Sequence, residues 1–257
     1  MKTAIITGAY GAIGKAIAMG IAANKEYHVF MVGRDLTRLV QAVEYVRRQS
    51  GNENVSVALV DLSLNQEIEG FASEFKKPLN ILINNASTTP RQRIESAEGI
   101  EMQWAVNVLA YYRMINAFTS HLTQAGKARI VNVASYWAGN LDLSDPEFRK
   151  RQYHNDTAYR QSKQAERMLT KAFADQLKVK GITVNACHPG DVNSKLSNNL
   201  GFGGSESPEE GADTPVWLAL AEALDGITGK YFELRGETPC RFMEDTRNVS
   251  KLMKLII

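Results

Sequence analysis

The chain has 257 residues, 44% of them hydrophobic, enough to bury the core of one domain of the doubly wound type. Against 28 Asp and Glu stand 30 Lys and Arg, a net charge of +2 that gives no electrostatic case for nucleic acid or an acidic membrane surface. Two cysteines, Cys187 and Cys240, are too few for a disulfide framework and point to a reducing, cytoplasmic compartment.

Apolar strand-like runs alternate with helical ones from end to end, the signature of a mostly parallel sheet covered on both faces. The expected fold class is therefore α/β: a doubly wound (Rossmann) seven-stranded sheet in three α/β/α layers, a single domain over residues 1–257. Strands are predicted near residues 3–7, 28–33, 55–61, 80–84, 129–134, 182–188 and 230–233, and helices near 13–23, 35–49, 64–75, 98–121, 157–178 and 208–223. Residues 88–97, 139–157 and 194–208 read as irregular. The first strand follows Met1 almost at once, so no signal peptide, transit peptide or amino-terminal membrane anchor is expected.

That strand runs into Gly8-Ala9-Tyr10-Gly11-Ala12-Ile13-Gly14 and then a helix, an order that suits phosphate binding. Glycines let backbone approach a pyrophosphate, and the helix points free amides and its positive dipole end at the charge. A plain strand-to-helix turn is the alternative for a glycine triplet standing alone. The second strand ends in Gly33-Arg34-Asp35. An acid at this place accepts hydrogen bonds from a free ribose 2′-hydroxyl, whereas Arg34 suits a 2′-phosphate and Gly33 removes the repelling carboxylate. That favours NADP(H) over NAD(H), with Arg38 a second candidate for the same phosphate; the other reading makes Arg34 a solvated residue ahead of an Asp35 helix cap.

Further along come Asp61-Leu62 after the third strand, Asn84-Asn85-Ala86 ending the fourth, Asn107 inside a long helix, and Ser135 closing the fifth. Tyr159 and Lys163 lie four apart, on one face of a helix, where a phenol and an ammonium meet. An unperturbed Tyr, with a pKa near ~10, holds its proton at neutral pH, and a neighbouring cation favours the phenolate, so the two read as an acid/base pair. Pro189-Gly190 ends the sixth strand. The terminal segment 249–257 is apolar, either a helix packed on its own domain or an interfacial one, and too short to span a bilayer.

In this order the motifs resemble the short-chain dehydrogenase/reductase family over almost the whole chain. The resemblance implies a nicotinamide cofactor and a small-molecule carbonyl or alcohol substrate, with no metal. It implies Tyr159 as acid/base, Lys163 lowering its pKa and holding the nicotinamide ribose, Ser135 donating to the substrate oxygen, and Asn107 holding a relay water. Cofactor contacts are implied for Gly8, Tyr10, Gly11, Ala12, Ile13, Gly14, Arg34, Asp61, Leu62, Asn85, Ala86, Tyr159, Lys163, Pro189, Gly190, Val192 and Ser194. Taken singly, Asn107 also reads as bonded to backbone and Ser135 as the end of its strand.

Three departures stand out: the Gly8-x-x-Gly11-x-x-Gly14 spacing is that of the extended subgroup, Ser87 replaces the usual Gly, and Ser194 stands where Thr is common. Ser135 and Tyr159 are 24 positions apart, and the insert at 141–153 looks like the branch that contains retinol dehydrogenases and related carbonyl reductases, which favours NADP and lipophilic aldehydes, ketones or alcohols. Members are monomers or homo-oligomers. The insert and residues 194–208 are expected to border the substrate pocket, the second as a glycine-rich mobile lid. Two other readings are a non-catalytic NADP-binding regulator and epimerase or dehydratase chemistry; the four catalytic-type residues weigh against the first, and the short carboxyl end against the second.

Overall fold

A computed structural model describes residues 1–256, and the last residue of the terminal segment, Ile257, lies outside the described residues. Among the described residues eight strands form one sheet: β1 (Lys2–Thr7), β2 (Tyr27–Gly33), β3 (Val55–Leu59), β4 (Ile81–Asn84), β5 (Ala128–Val133), β6 (Ile182–Cys187), β7 (Tyr231–Glu233) and β8 (Gly236–Glu237). Their order is β3-β2-β1-β4-β5-β6-β7-β8. All neighbours are parallel except β7 and β8, which pair antiparallel with Phe232 opposite Glu237. The seven expected strands are present; the eighth, two residues long, carries no period for a sequence pattern to show.

The helices are α1 (Ala12–Ala22), α2 (Leu36–Ser50), α3 (Asn65–Glu74), α4 (Ala110–Gln124), α5 (Asn155–Leu177), α6 (Lys195–Asn199), α7 (Pro208–Leu220), α8 (Arg241–Glu244) and α9 (Thr246–Ile256). Strand residues alternate between the two faces of the sheet. Ile5 and Leu82 accordingly join Phe118 of α4 and Phe173 of α5 in one core. Ile6 and Ile83 face the other way, into a core with Ile17 of α1 and Val43 of α2. Burial on both faces is why β4 reads Ile-Leu-Ile-Asn with every residue buried.

Local chemistry sets the boundaries. Asp35 accepts from the Arg38 amide and starts α2, which ends where Gly51 turns left-handed. The helix predicted over 98–121 starts later and runs to Gln124. The Glu101 carboxylate accepts from the amides of Gln103 and Trp104, so the chain enters the helix there, and a π-helical stretch, Trp104–Leu109, leads into α4. At the carboxyl end Val249 and Leu252 of α9 bury their side chains in the core that α5 builds. Among the described residues no helix is long and apolar enough to cross a membrane.

Candidate active site

The order of strands reverses between β1 and β4, and in open α/β sheets the crevice beyond such a point takes the ligand. A cleft of about 300 Å³ opens there. It is lined by Gly8, Tyr10, Gly11, Ala12, Ile13 and Gly14 from the first turn, by Gly33, Arg34 and Arg38 from the end of β2 and start of α2, and by Asp61, Leu62, Asn85, Ala86 and Ser194. Gly8 has φ +63°, and a Cβ there would sit 2.8 Å from the Ala86 Cα. Glycine is thus required to close the turn against the loop after β4.

The cleft suits a dinucleotide on its own chemistry. Helix α1 begins at Gly11, which offers no side-chain cap, and its first turn carries no acid to compete with a phosphate. Arg34, more than half exposed, has Asp61 as its ion-pair partner at 3.9 Å. Arg38 lies over the Tyr10 ring, guanidinium 4.5 Å from the centroid. A Cβ on Gly33 would collide with that ring, so the residue whose absence of charge suggests a 2′-phosphate is also the one that lets Tyr10 lie flat. The hydroxyls of Ser87 and Thr89, both on the cleft wall, are buried and without a hydrogen-bond partner.

None of the catalytic-type residues Asn107, Ser135, Tyr159 and Lys163 is among those lining the cleft, the expected cofactor contacts Tyr159 and Lys163 included; Asn107 bonds its wall at Thr88. Tyr159 is buried, with the Ser135 hydroxyl beside its phenol and the Lys163 Nζ 5.4 Å from its ring centroid. Burial dominates and pushes the phenol above its ordinary value; Lys163 pulls it down by less, and Glu166 and Asp191 push it back up. Lys163 thus acts on the phenol in the expected direction, but burial outweighs it and leaves the phenol above its ordinary value. Lys163 donates to both Glu166 carboxylate oxygens, at 2.8 and 3.1 Å, and to the Val133 carbonyl at 3.1 Å. Burial drives Glu166 up to about 7 against the opposing pull of Lys163 and Arg167.

Asn107 sits in the π-helical stretch and its side chain is fully used. Oδ1 accepts from the Thr88 amide at 2.8 Å, while Nδ2 donates to the Thr88 carbonyl and to the Ser162 hydroxyl, each at 3.1 Å. The side chain therefore ties the cleft wall at Thr88 to α5. Pro189, Gly190 and Val192 are not among the residues lining the cleft. The Glu206 carboxylate occupies the place a Gly190 side chain would take, and Val192 is buried in a bridge to Glu206. Ser194 lines the cleft while capping α6, its hydroxyl accepting from the Ser197 amide.

The insert, expected to border the pocket, contributes nothing to the cleft lining, whereas Ser194, Lys195, Leu196 and Asn199 of the second segment line it. The insert is a built loop docked on residues 93–103: buried Asp145 accepts from the amides of Arg149, Lys150 and Arg151, Arg93 donates to the Glu147 carbonyl, and Tyr153 bridges Gln103 and Pro90. Residues 194–208 hold the short helix α6, and their glycines serve shape. Gly201, Gly203 and Gly204 all have positive φ, and a Cβ on Gly204 would meet the Val192 backbone at 2.5 Å. Sequence reasoning missed Glu166, three residues beyond Lys163 on the same helical face, and Lys195, which follows Ser194 onto the cleft wall. Spacing alone held the signal for Glu166.

A family model for short chain dehydrogenases matches residues 2–202. Retinol dehydrogenase 13 of Homo sapiens is 32% identical over 272 residues, covering 98% of this chain and 82% of that protein. Among solved structures, a putative uncharacterized protein from Mycobacterium Paratuberculosis superposes with a TM-score of 0.82 at 24% identity, over 100% of this chain and 92% of that one. A putative NAD(P) dependent gluconate 5-dehydrogenase from Beutenbergia cavernae, solved with bound NADP, aligns at a TM-score of 0.72 and 26% identity over 90% and 94% of the two chains.

Proposed function

The chain belongs to the short-chain dehydrogenase family, on its retinol dehydrogenase branch, and from that premise we propose that it is an NADP(H)-dependent oxidoreductase for a carbonyl/alcohol pair with Tyr159 as its acid/base. Oxidoreductase chemistry follows from the family; the choice of cofactor, the substrate class and the residue roles are our reading. The observation that carries it is the buried group of Tyr159, Ser135 and Lys163, tied through Asn107 and Thr88 to a cleft with a glycine turn at one end and two arginines at the other.

When bound, the nicotinamide supplies or accepts the hydride. The chain's own residues handle the oxygen. Tyr159 gives its proton to a carbonyl oxygen during reduction or takes one from the hydroxyl during oxidation, and the Ser135 hydroxyl donates to the same oxygen. Lys163 stabilises the phenolate this leaves. Arg34 and Arg38 are the groups suited to a 2′-phosphate, and a bidentate guanidinium–phosphate pair is the stronger kind of hydrogen bond.

The surroundings of Tyr159 favour a lipophilic substrate. Trp137 lies 6.2 Å from the Tyr159 ring and 5.6 Å from Phe202, and Phe202 and Tyr136 are about half exposed. Aromatic surface left in water beside the Tyr159 ring suits an apolar ligand. The test is a panel of aliphatic, aromatic and polyene aldehydes and ketones followed by loss of NADPH absorbance. Turnover with apolar members and not with small polar ones is expected; turnover restricted to sugars, or to NADH, would overturn the substrate or the cofactor assignment respectively.

A further inference from the structure

Glu166 is fully buried, three residues after Lys163, and both of its oxygens face the Lys163 ammonium. Taking a carboxylate out of water costs several kcal/mol, and a Leu or Val would fill a helix position against the sheet more cheaply. Proton transfer by Tyr159 and Ser135 does not itself use this carboxylate. A chain of polar groups, starting from the Glu166 backbone carbonyl, ties the same turn of α5 to the sheet. Thr170 donates to the Glu166 carbonyl at 2.8 Å, Asn132 to Thr170 at 2.9 Å, and Asn84 to Asn132 at 2.9 Å. These groups fix the helix against β4 and β5, so the carboxylate is held in place under Lys163.

We propose that Glu166 is a positioning residue of the catalytic site, whose carboxylate clamps Lys163 and offsets its charge so that Tyr159 keeps its proton until a carbonyl oxygen draws it off. Two geometric facts support this. Lys163 donates to three protein oxygens, two of one Glu166 carboxylate and one of Val133, so its ammonium is directed before any ligand arrives. Its charge is matched at 2.8 Å by a carboxylate, nearer than the Tyr159 ring centroid at 5.4 Å. A cation so paired exerts a weaker net pull on the phenol than a free one. Burial is the first cause of the raised Tyr159 phenol, and Glu166 is among the charges that push it the same way.

The consequence is directional: the site is poised as a proton donor, which suits reduction. The nicotinamide would supply the hydride and Tyr159 the proton. The phenol O–H bond breaks as the substrate oxygen gains the proton, and the phenolate left behind sits by the Lys163–Glu166 pair until solvent restores the proton. Other titratable groups face the same space: Tyr111 from α4, Cys187 and His188 from β6 and its end, Asp191 beyond it, and Arg167 from α5. Asp191 acts on the phenol in the same sense as Glu166, but its side chain is about half exposed and solvent screens it. Tyr111, Cys187 and His188 are held neutral by burial, and Arg167 adds a positive charge that Glu166 also offsets.

This inference rests on Tyr159 being the acid/base, and the experiment separates the two. Tyrosinate formation is followed by ultraviolet difference titration of the cofactor-free protein, wild type against Tyr159→Phe, so that the difference isolates Tyr159. The pair is then repeated in the Glu166→Gln background. Glu166→Gln is expected to lower the Tyr159 midpoint by about one unit or more and to move the acid limb of the alcohol-oxidation pH profile down with it. Glu166→Asp, which keeps the charge, is expected to hold both near wild type. If Glu166→Gln does not fold by its melting curve, Glu166→Met serves with the same sign. An unmoved midpoint and an unmoved profile overturn the role of Glu166 and leave the function standing. A Tyr159→Phe protein that still turns over overturns the acid/base assignment itself.

Discussion

The two halves of the site are built on opposite principles. The nucleotide half is open and under-bonded: an uncapped helix start, partnerless Ser87 and Thr89 hydroxyls, and arginines held by one long ion pair or by a ring face. The catalytic half is closed and bonded to itself, with Lys163 on Glu166, Asn107 on Thr88 and Ser162, and Tyr159 desolvated beside Ser135. A cleft that must exchange a large anion leaves its donors free. A group that must hold one proton against water buys that control with burial, and each charge taken inside then needs its own partner.

Breaking the closed half should cost most. Lys163→Ala strands the Glu166 carboxylate in the core and is expected to lower stability by about 3 to 5 kcal/mol, measured by denaturant unfolding. Adding Glu166→Leu to it should restore most of that loss. If Lys163→Ala alone melts like wild type, the pair is not a buried unit. The same variant should also weaken NADPH binding, because its ammonium is the group suited to the nicotinamide ribose.

Acid should open the closed half by another route. Burial and the nearby Arg167 and Lys163 charges hold His188 down at about 4, whereas an unfolded His titrates near 6.5. The unfolded chain then binds the extra proton between those values, so the stability this neutral His contributes is present above about 6.5 and is lost as pH falls toward 4. The gap corresponds to about 3 kcal/mol, discounted for its edge of exposed surface. His188→Asn should flatten the fall in melting temperature across that window. An equally steep fall in the variant would place the acid sensitivity elsewhere.

How much of this was legible in the sequence follows the same division. The glycine turn, the strand ends at Asn84-Asn85-Ala86 and Ser135, and the arginines after Gly33 announce themselves locally, because backbone approach and free charge need particular residues at particular steps. The closed half depends on what meets across the sheet. Glu166 looked like any acid on a long polar helix until β5 and β6 covered it, and Asn107 could be read as a relay or as a brace with equal right. The glycines at 201, 203 and 204 look flexible in sequence, yet each holds a left-handed backbone position that the short loop requires.

Smaller effects belong to the open half. Arg34→Asp should reduce NADPH affinity about thirtyfold, on the order of 2 kcal/mol, and improve NADH binding, read by fluorescence titration. NADH binding as tightly as NADPH in the wild type would remove the 2′-phosphate assignment. Ser194→Ala removes the cap of α6 and should cost about 1 kcal/mol, seen as faster hydrogen exchange confined to residues 195–204. Exchange unchanged there would mean that the Ser197 hydroxyl, which bonds the Gly203 carbonyl and the Ser194 backbone, carries the turn without it.

The separation of the two halves is tested most directly by Tyr159→Phe, assayed in parallel for NADPH binding and for turnover of an apolar aldehyde. Removing one hydroxyl from the closed half should leave the NADPH Kd within about twofold of wild type while kcat falls on the order of a thousandfold. A variant that keeps a tenth of wild-type kcat, or that loses turnover only by losing the cofactor, would contradict the account.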